Sequence, residues 1–199
     1  MVDLRSVVDL SRTYQQDFYC RDTLAVAREL LGALLCRQVS DGRVLYGPIV
    51  EVEAYTQDDP ACHASRGLTP RCRVMFGPPG RAYVYFIYGM YHCLNVVTEP
   101  EGTPGAVLIR AVGADGTNGP GKLCREWQID WSHNGTSLLT PGTDLWICAG
   151  TTVSGSDIVC SPRIGVSSAT DRHWRFYLRD HPSVSKAPQS PVGKKGRRA

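Results

Sequence analysis

Residues 83–91 read Tyr-Val-Tyr-Phe-Ile-Tyr-Gly-Met-Tyr, and residues 92–98 continue His-Cys-Leu-Asn-Val-Val-Thr. Aromatic and β-branched residues on both sides of Gly89 predict an antiparallel hairpin over 83–98 that turns near that glycine. Working outward, Ile49-Val50-Glu51-Val52-Glu53-Ala54-Tyr55 belongs to a strand over 44–55, and Ser40-Asp41-Gly42-Arg43 ahead of it has hairpin-turn chemistry. Further strands are expected over 107–111, 145–149, 158–160, 164–166 and 174–179. Two helices are expected. One is capped by Asp22 and runs over 23–35 with Leu24, Ala27, Leu30, Leu31 and Leu34 on one face; the other spans 122–128 after Gly119-Pro120-Gly121. Residues 56–80, rich in Gly and Pro, read as a long irregular loop, and long loops in compact domains usually carry function. No internal repeat is present. The sum is an α+β chain with mostly antiparallel strands.

The bulk composition fits one domain with its own core: 199 residues, 42% hydrophobic and 21% charged. No apolar run approaches the roughly 18 to 20 residues of a membrane span. Met1-Val2-Asp3-Leu4-Arg5 opens without the apolar stretch of a secretory signal. Eight cysteines suggest disulfides, but Cys36, Cys93 and Cys148 sit in apolar runs and no Cys-x-x-Cys occurs, so free buried thiols are expected. Cys62, His63, Cys72, His92 and Cys93 are the nearest approach to a metal cluster and match no zinc spacing; neither metal nor cofactor is expected. A net charge of +3 permits nucleic-acid binding without demanding it. Arg66, Arg71, Arg73 and Arg81 cluster in a Gly/Pro-rich stretch, and Lys194-Lys195-Gly196-Arg197-Arg198 closes the chain. Residues 1–20 read as an N-terminal extension, 21–183 as the functional domain and 184–199 as a basic, disordered tail.

Three segments could carry chemistry. Alternation puts Val50, Val52 and Ala54 on one side of their strand and Glu51, Glu53 and Tyr55 on the other, with the two carboxylates roughly 7 Å apart by strand rise. That polar side is either a solvent-facing surface or holds a general base whose pKa is raised by burial and by its neighbour. In the hairpin, Tyr83 and Tyr85 share a face, while Tyr88 falls on the other beside the turn. Buried phenols need hydrogen-bond partners, and an aromatic at a turn tip can wedge into a base stack; an amphipathic core hairpin is the plainer alternative. Lys122 stands in the first turn of a helix, where the macrodipole disfavours a cation. A bound phosphate would resolve that conflict, and an exposed lysine tolerated at small cost is equally consistent.

Taken together these segments resemble the alkyladenine (3-methyladenine or methylpurine) DNA glycosylase family. The matching blocks are Glu51-Val-Glu-Ala-Tyr55, Ala61-Cys-His63, Ser65-Arg-Gly67, Thr69-Pro-Arg71, Met75-Phe76 and the tyrosine hairpin over 83–91. They continue in order through Cys93-Leu-Asn95, Val107-Leu-Ile-Arg110, Gly119-Pro-Gly-Lys-Leu123, Arg163-Ile-Gly-Val166 and Arg175-Phe-Tyr177, covering roughly residues 20 to 185. The resemblance implies a single compact domain: a curved antiparallel sheet, surrounding helices and a protruding hairpin that inserts into DNA.

It also implies roles. Glu53 would activate a water for attack at C1′ of a flipped nucleotide, and Arg110 would hold that water or the nucleotide's phosphate. Tyr55, His63 and Tyr85 would line the pocket and stack on the extruded base. Asn95 would reject guanine at the pocket floor, and Tyr88 would fill the gap left in the duplex. Met75, Arg71, Tyr83 and Lys122 are further candidates for DNA contact. The implied substrates are 3-methyladenine, 7-methylguanine, hypoxanthine and ethenoadenine in double-stranded DNA. The implied enzyme is a cytoplasmic (nucleoid-associated) or nuclear monomer without strand-cleaving lyase activity.

One departure stands out. Residues 111–118 are short where the family carries a longer, partly helical segment, which puts DNA-backbone contacts and lesion range in question. Two rival readings remain. A carbohydrate glycosidase would use Glu51 and Glu53 as an inverting pair, and a non-catalytic module would bind lesions without releasing a base.

Overall fold

The computed structural model describes residues 8–186. In chain order the elements are α1 (Gln16–Tyr19), α2 (Thr23–Glu29), β1 (Leu34–Gln38), β2 (Val44–Thr56), β3 (Ala82–Ile87), β4 (Tyr91–Thr98), β5 (Gly105–Val112), α3 (Pro120–Glu126), β6 (Leu145–Cys148), β7 (Ile158–Ser161) and β8 (Arg175–Leu178). One antiparallel sheet runs β3-β4-β5-β2-β1-β6, with β8 joined to β2 and β7 to β8. The curved α+β architecture is therefore the expected one.

The thirteen residues of β2 organise this sheet. Val44 to Pro48 pair with β1, Glu51 to Glu53 pair with β8, and Ile49 to Thr56 pair with β5. Two register shifts interrupt the β2–β5 ladder: Ile49 faces Val112, Glu51 faces Ala111 and Val52 faces Ile109. The second shift leaves Arg110 opposite no residue of β2. Bulges bend a strand and re-aim its side chains, and this one sits beside both glutamates.

Alternation along each strand then gives the sheet two different faces. Ala82, Val84, Leu94, Val96, Val107, Ile109, Val52 and Ala54 face the main core, where Val26 and Ala27 of α2 and Leu30 just after it also lie. The opposite face carries Tyr83 and Tyr85 of β3, Cys93 and Asn95 of β4, Leu108 and Arg110 of β5, and Glu53 and Tyr55 of β2. Loop residues Cys62, Ala64, Cys72 and Met75 pack onto it as a second apolar cluster. The 56–80 loop is thus a cover for the polar face of the sheet.

Two expectations need correction. The helix expected over 23–35 is α2, which ends at Glu29, and Leu34 and Leu35 belong to β1. Gly32 explains the break. It adopts φ +85°, and a Cβ there would stand 2.1 Å from the Thr151 carbonyl oxygen, so the chain turns at a point only glycine can occupy. Residues 164–166 form no strand. Gly165 has positive φ, and the Ile164 N–H is taken by the Glu53 side chain instead of a ladder partner.

The first expected extension is partly built in, since Tyr19 is fully buried and Thr13 bridges to Cys148. At the other end Ser185 is buried as well, while residues 187–199 with their Lys/Arg run lie outside the described residues. The eight cysteines are free, and Cys36, Cys93 and Cys148 lie in buried strands. No helix among the described residues is long and apolar enough to cross a membrane.

Candidate active site

The site begins as a row of cross-strand neighbours. Tyr83 faces Asn95, Asn95 faces Leu108, Leu108 faces Glu53, and Glu53 faces Arg175. A cavity of about 390 Å³ opens on this row, within the usual size of a small-molecule pocket. Glu53, Tyr55, His63, Tyr85, Asn95 and Arg110 all line it, so the residues scattered over 53–110 in the sequence converge here.

Both glutamates are completely buried, which removes the reading of their strand face as a solvent surface. Their environments differ. Glu51 Oε1 accepts from Arg110 Nε at 2.8 Å, Arg175 Nε at 2.7 Å and Ser185 Oγ at 2.7 Å, and its Oε2 accepts from the Ser185 N–H at 2.7 Å. Burial alone would raise its pKa, but Arg110, the Ser185 amide and Arg175 outweigh that and hold the carboxyl below its ordinary range. Glu51 does not line the cavity, and its charge is spent on two arginines. Glu53 does line it. Its Oε1 accepts from the Ile164 N–H at 2.7 Å and lies 3.2 Å from Arg110 Nη1, while its Oε2 accepts from the Tyr55 hydroxyl at 2.8 Å. An inverting glycosidase needs both carboxylates at the substrate. The sealing of Glu51 removes that rival's premise.

The aromatic wall is tightly interlocked. His63 meets Tyr85 edge-on with centroids 4.6 Å apart, and its Nδ1 lies 2.8 Å from the Tyr83 hydroxyl. Burial, helped by the nearby Arg71 charge, lowers the His63 pKa to about 4, so the ring is neutral at physiological pH. The neutral Nδ1 can then accept a hydrogen bond from the Tyr83 hydroxyl. Burial raises the phenols of Tyr55, Tyr83 and Tyr85, which therefore stay protonated. Arg71 is exposed, with its guanidinium carbon 5.4 Å from the centre of the Tyr85 ring. Asn95 is buried with its Nδ2 donating to the Tyr83 carbonyl at 2.9 Å, which fixes the orientation of its amide.

At the mouth, Tyr88 is 76% exposed at φ +54°, with Gly89 beside it at φ +68° and the Met90 N–H closing the turn onto the Ile87 carbonyl. These are the φ signs of a type I′ turn, which matches the strand twist but strains a tyrosine. Phe86 and Met90 extend the exposed apolar tip. Met75 and Tyr83 are buried at the cavity wall and do not reach the surface. Lys122 is exposed and donates to Asn118 Oδ1 at 3.0 Å, so a side-chain amide already meets the cation in this first helical turn. The short 111–118 segment closes on itself through the Ala111–Asn118 bridge and the Thr117 hydroxyl, which donates to the Val112 and Ala114 carbonyls.

Several participants receive no individual role from the sequence. Asp59 and Arg163 form a fully buried ion pair, in which Arg163 Nη2 donates to Asp59 Oδ1 at 2.9 Å and Nη1 to the Ala54 carbonyl at 2.9 Å. Arg163 also lies 4.6 Å from the Tyr55 ring centre. This pair ties the loop to the segment that presents the Ile164 N–H. Tyr91, Leu108 and residues 164–166 line the cavity too. Arg163, Tyr91, Leu108 and residues 164–166 all fall inside blocks that carry the family resemblance, whereas Asp59 lies between two of them.

The chain matches the family described as methylpurine-DNA glycosylase (MPG) over residues 17–116 and 113–182. The two matched stretches meet inside the short 111–118 segment. Proteins named "Putative 3-methyladenine DNA glycosylase" are similar over nearly their whole length. The one from Prosthecochloris aestuarii is 47% identical over 200 residues, covering 92% of this chain and 95% of its own. That from Methanocella arvoryzae is 49% identical, covering 86% and 94%, and that from Myxococcus xanthus 48%, covering 90% and 96%.

Proposed function

The chain belongs to the methylpurine-DNA glycosylase family, and from that membership we propose that it excises damaged purines from duplex DNA by water attack directed by Glu53. The family makes it a hydrolase of N-glycosyl bonds acting on DNA, in base-excision repair. The observation that carries the finer reading is the asymmetry of the two carboxylates: Glu51 is sealed among cations, and Glu53 opens on an aromatic-walled cavity.

A base stacked in a duplex cannot be attacked in place, so the nucleotide must first be extruded at a cost of a few kcal/mol, least for a lesion that pairs or stacks poorly. Tyr88, exposed at the hairpin tip, would fill the gap. The extruded base would lie against Tyr55, His63 and Tyr85. A water between Glu53 and C1′ gives its proton to the carboxylate as its oxygen bonds C1′; the C1′–N bond breaks and its electron pair leaves with the purine. Arg110, the Ile164 N–H and the Tyr55 hydroxyl hold the Glu53 carboxylate for that step.

An N3- or N7-alkylated purine already carries positive charge. Tyrosine faces attract it, and a neutral His63 does not repel it. Asn95, with its amide fixed by the Tyr83 carbonyl, would stand against the exocyclic amino group of guanine. No lysine lines the cavity among the described residues, which supports simple hydrolysis without a Schiff-base lyase step.

The test is incubation of the protein with duplexes carrying one hypoxanthine or one ethenoadenine, and with methylated DNA. Free base, with strands cut only after alkali, is expected. Tight binding of these duplexes without base release from any of them would establish the non-catalytic module instead.

A further inference from the structure

Ser185 lies 134 residues from Glu51 in the chain, seven residues beyond the last strand, yet it is buried against the carboxylate cluster. Its N–H donates to Glu51 Oε2 at 2.7 Å and its hydroxyl to Glu51 Oε1 at 2.7 Å. The same hydroxyl oxygen accepts from Arg110 Nη2 at 3.2 Å, and the Ser185 carbonyl accepts from Arg175 Nη2 at 3.1 Å. One residue therefore touches three of the four charged side chains at the heart of the sheet. The fourth, Glu53, is reached through Arg110, whose Nη1 lies 3.2 Å from it.

We propose that Ser185 is a positioning residue for base excision: it clamps Glu51 and Arg110, and Arg110 in turn fixes the Glu53 carboxylate. The proposal rests on the reading of Glu53 as the base.

The physical case is one of satisfied valences. Arg110 is almost fully buried and spends Nε on Glu51, Nη1 on Glu53 and Nη2 on Ser185. A guanidinium fork is planar, so anchoring two of its edges sets the direction of the third. Removing the hydroxyl leaves Nη2 without that partner and takes one of four donors from Glu51. Arg110 can then rotate toward Glu51 and away from Glu53. A water-attack geometry tolerates little misplacement, since an error of about 1 Å can cost on the order of a hundredfold in rate. The smaller freedom released here corresponds to roughly tenfold.

The experiment compares wild type, Ser185→Ala and Ser185→Thr on a hypoxanthine-containing duplex, under single-turnover conditions with protein in excess. Duplex affinity and melting temperature are read alongside. For Ser185→Ala the base-release rate at saturation is expected to fall about tenfold while affinity stays within about twofold, because Ser185 does not itself line the cavity. Ser185→Thr keeps the hydroxyl and is expected to recover most of the rate. A purely structural role would lower the melting temperature and the active fraction of all variants but leave the saturated rate per active site unchanged. A wild-type rate in Ser185→Ala, or a threonine variant as slow as alanine, overturns the proposal while leaving the glycosylase reading intact. A wild type that releases no base overturns both.

Discussion

Replacing Asp59 by alanine strands a guanidinium where water cannot reach it. The side chains of Asp59 and Arg163 are both 0% exposed, and the carboxylate is the sole anion bound to Arg163 among the described residues. Breaking a buried pair from one side costs about 3–5 kcal/mol, because the remaining charge keeps its desolvation penalty and loses its compensation. For a domain of this length each kcal/mol moves the melting temperature by about 2–4 °C, so a drop of roughly 6–20 °C is expected by scanning calorimetry. The damage should also reach the chemistry. Arg163 donates to the Ala54 carbonyl, lies over Tyr55 and precedes the Ile164 N–H that Glu53 accepts. The double variant Asp59→Leu/Arg163→Met removes both charges, and it should regain most of the stability while base release stays low. A melting temperature for Asp59→Ala within about 2 °C of wild type would refute the reasoning, since the arginine would then have found water or another partner.

Two further outcomes follow from exposed and titrating groups. Tyr88→Ala is expected to weaken binding to a lesion duplex roughly tenfold, the scale of one lost base–aromatic stack, with no loss of thermal stability, because that side chain packs on little of the protein. Equal affinity of the variant and wild type, measured by fluorescence anisotropy, would remove the wedge role. The His63 pKa falls from 6.5 to about 4 on folding, so the unfolded chain binds more protons between those values. Its contribution to stability is complete above about pH 6.5 and is lost as pH falls toward 4. Urea midpoints measured across pH 4–7 should decline with acid more steeply for wild type than for His63→Gln, and parallel curves would contradict the burial argument.

Much of the site was legible because strand alternation is a local property. Glu51, Glu53 and Tyr55 share a face on β2, Tyr83 and Tyr85 share one on β3, and the structure puts Glu53, Tyr55, Tyr83 and Tyr85 on one cavity wall. What alternation could not give was the cover over that face. The cavity face is covered by the 56–80 loop and by residues 163–166, which reach Glu53 through the Ile164 N–H and are tied to the loop by an Arg163–Asp59 contact 104 residues apart in sequence. Contacts of that span leave no periodic trace. The different fates of Glu51 and Glu53 arise the same way, from Arg175 and Ser185 far down the chain. The helix expected over 23–35 failed at Gly32, where a leucine-rich pattern continued into β1 past a left-handed turn. The strand expected over 164–166 failed because the site itself claims the Ile164 N–H.

The central claim is that Glu53, and not Glu51, directs the water. Its most direct test is single-turnover base release by Glu53→Gln on a hypoxanthine duplex, with lesion affinity measured on the same preparation. Glutamine keeps the size of the side chain and can still accept from the Ile164 N–H, so binding should persist while base release disappears. A glutamine variant that still frees the base at a rate near wild type would contradict the account.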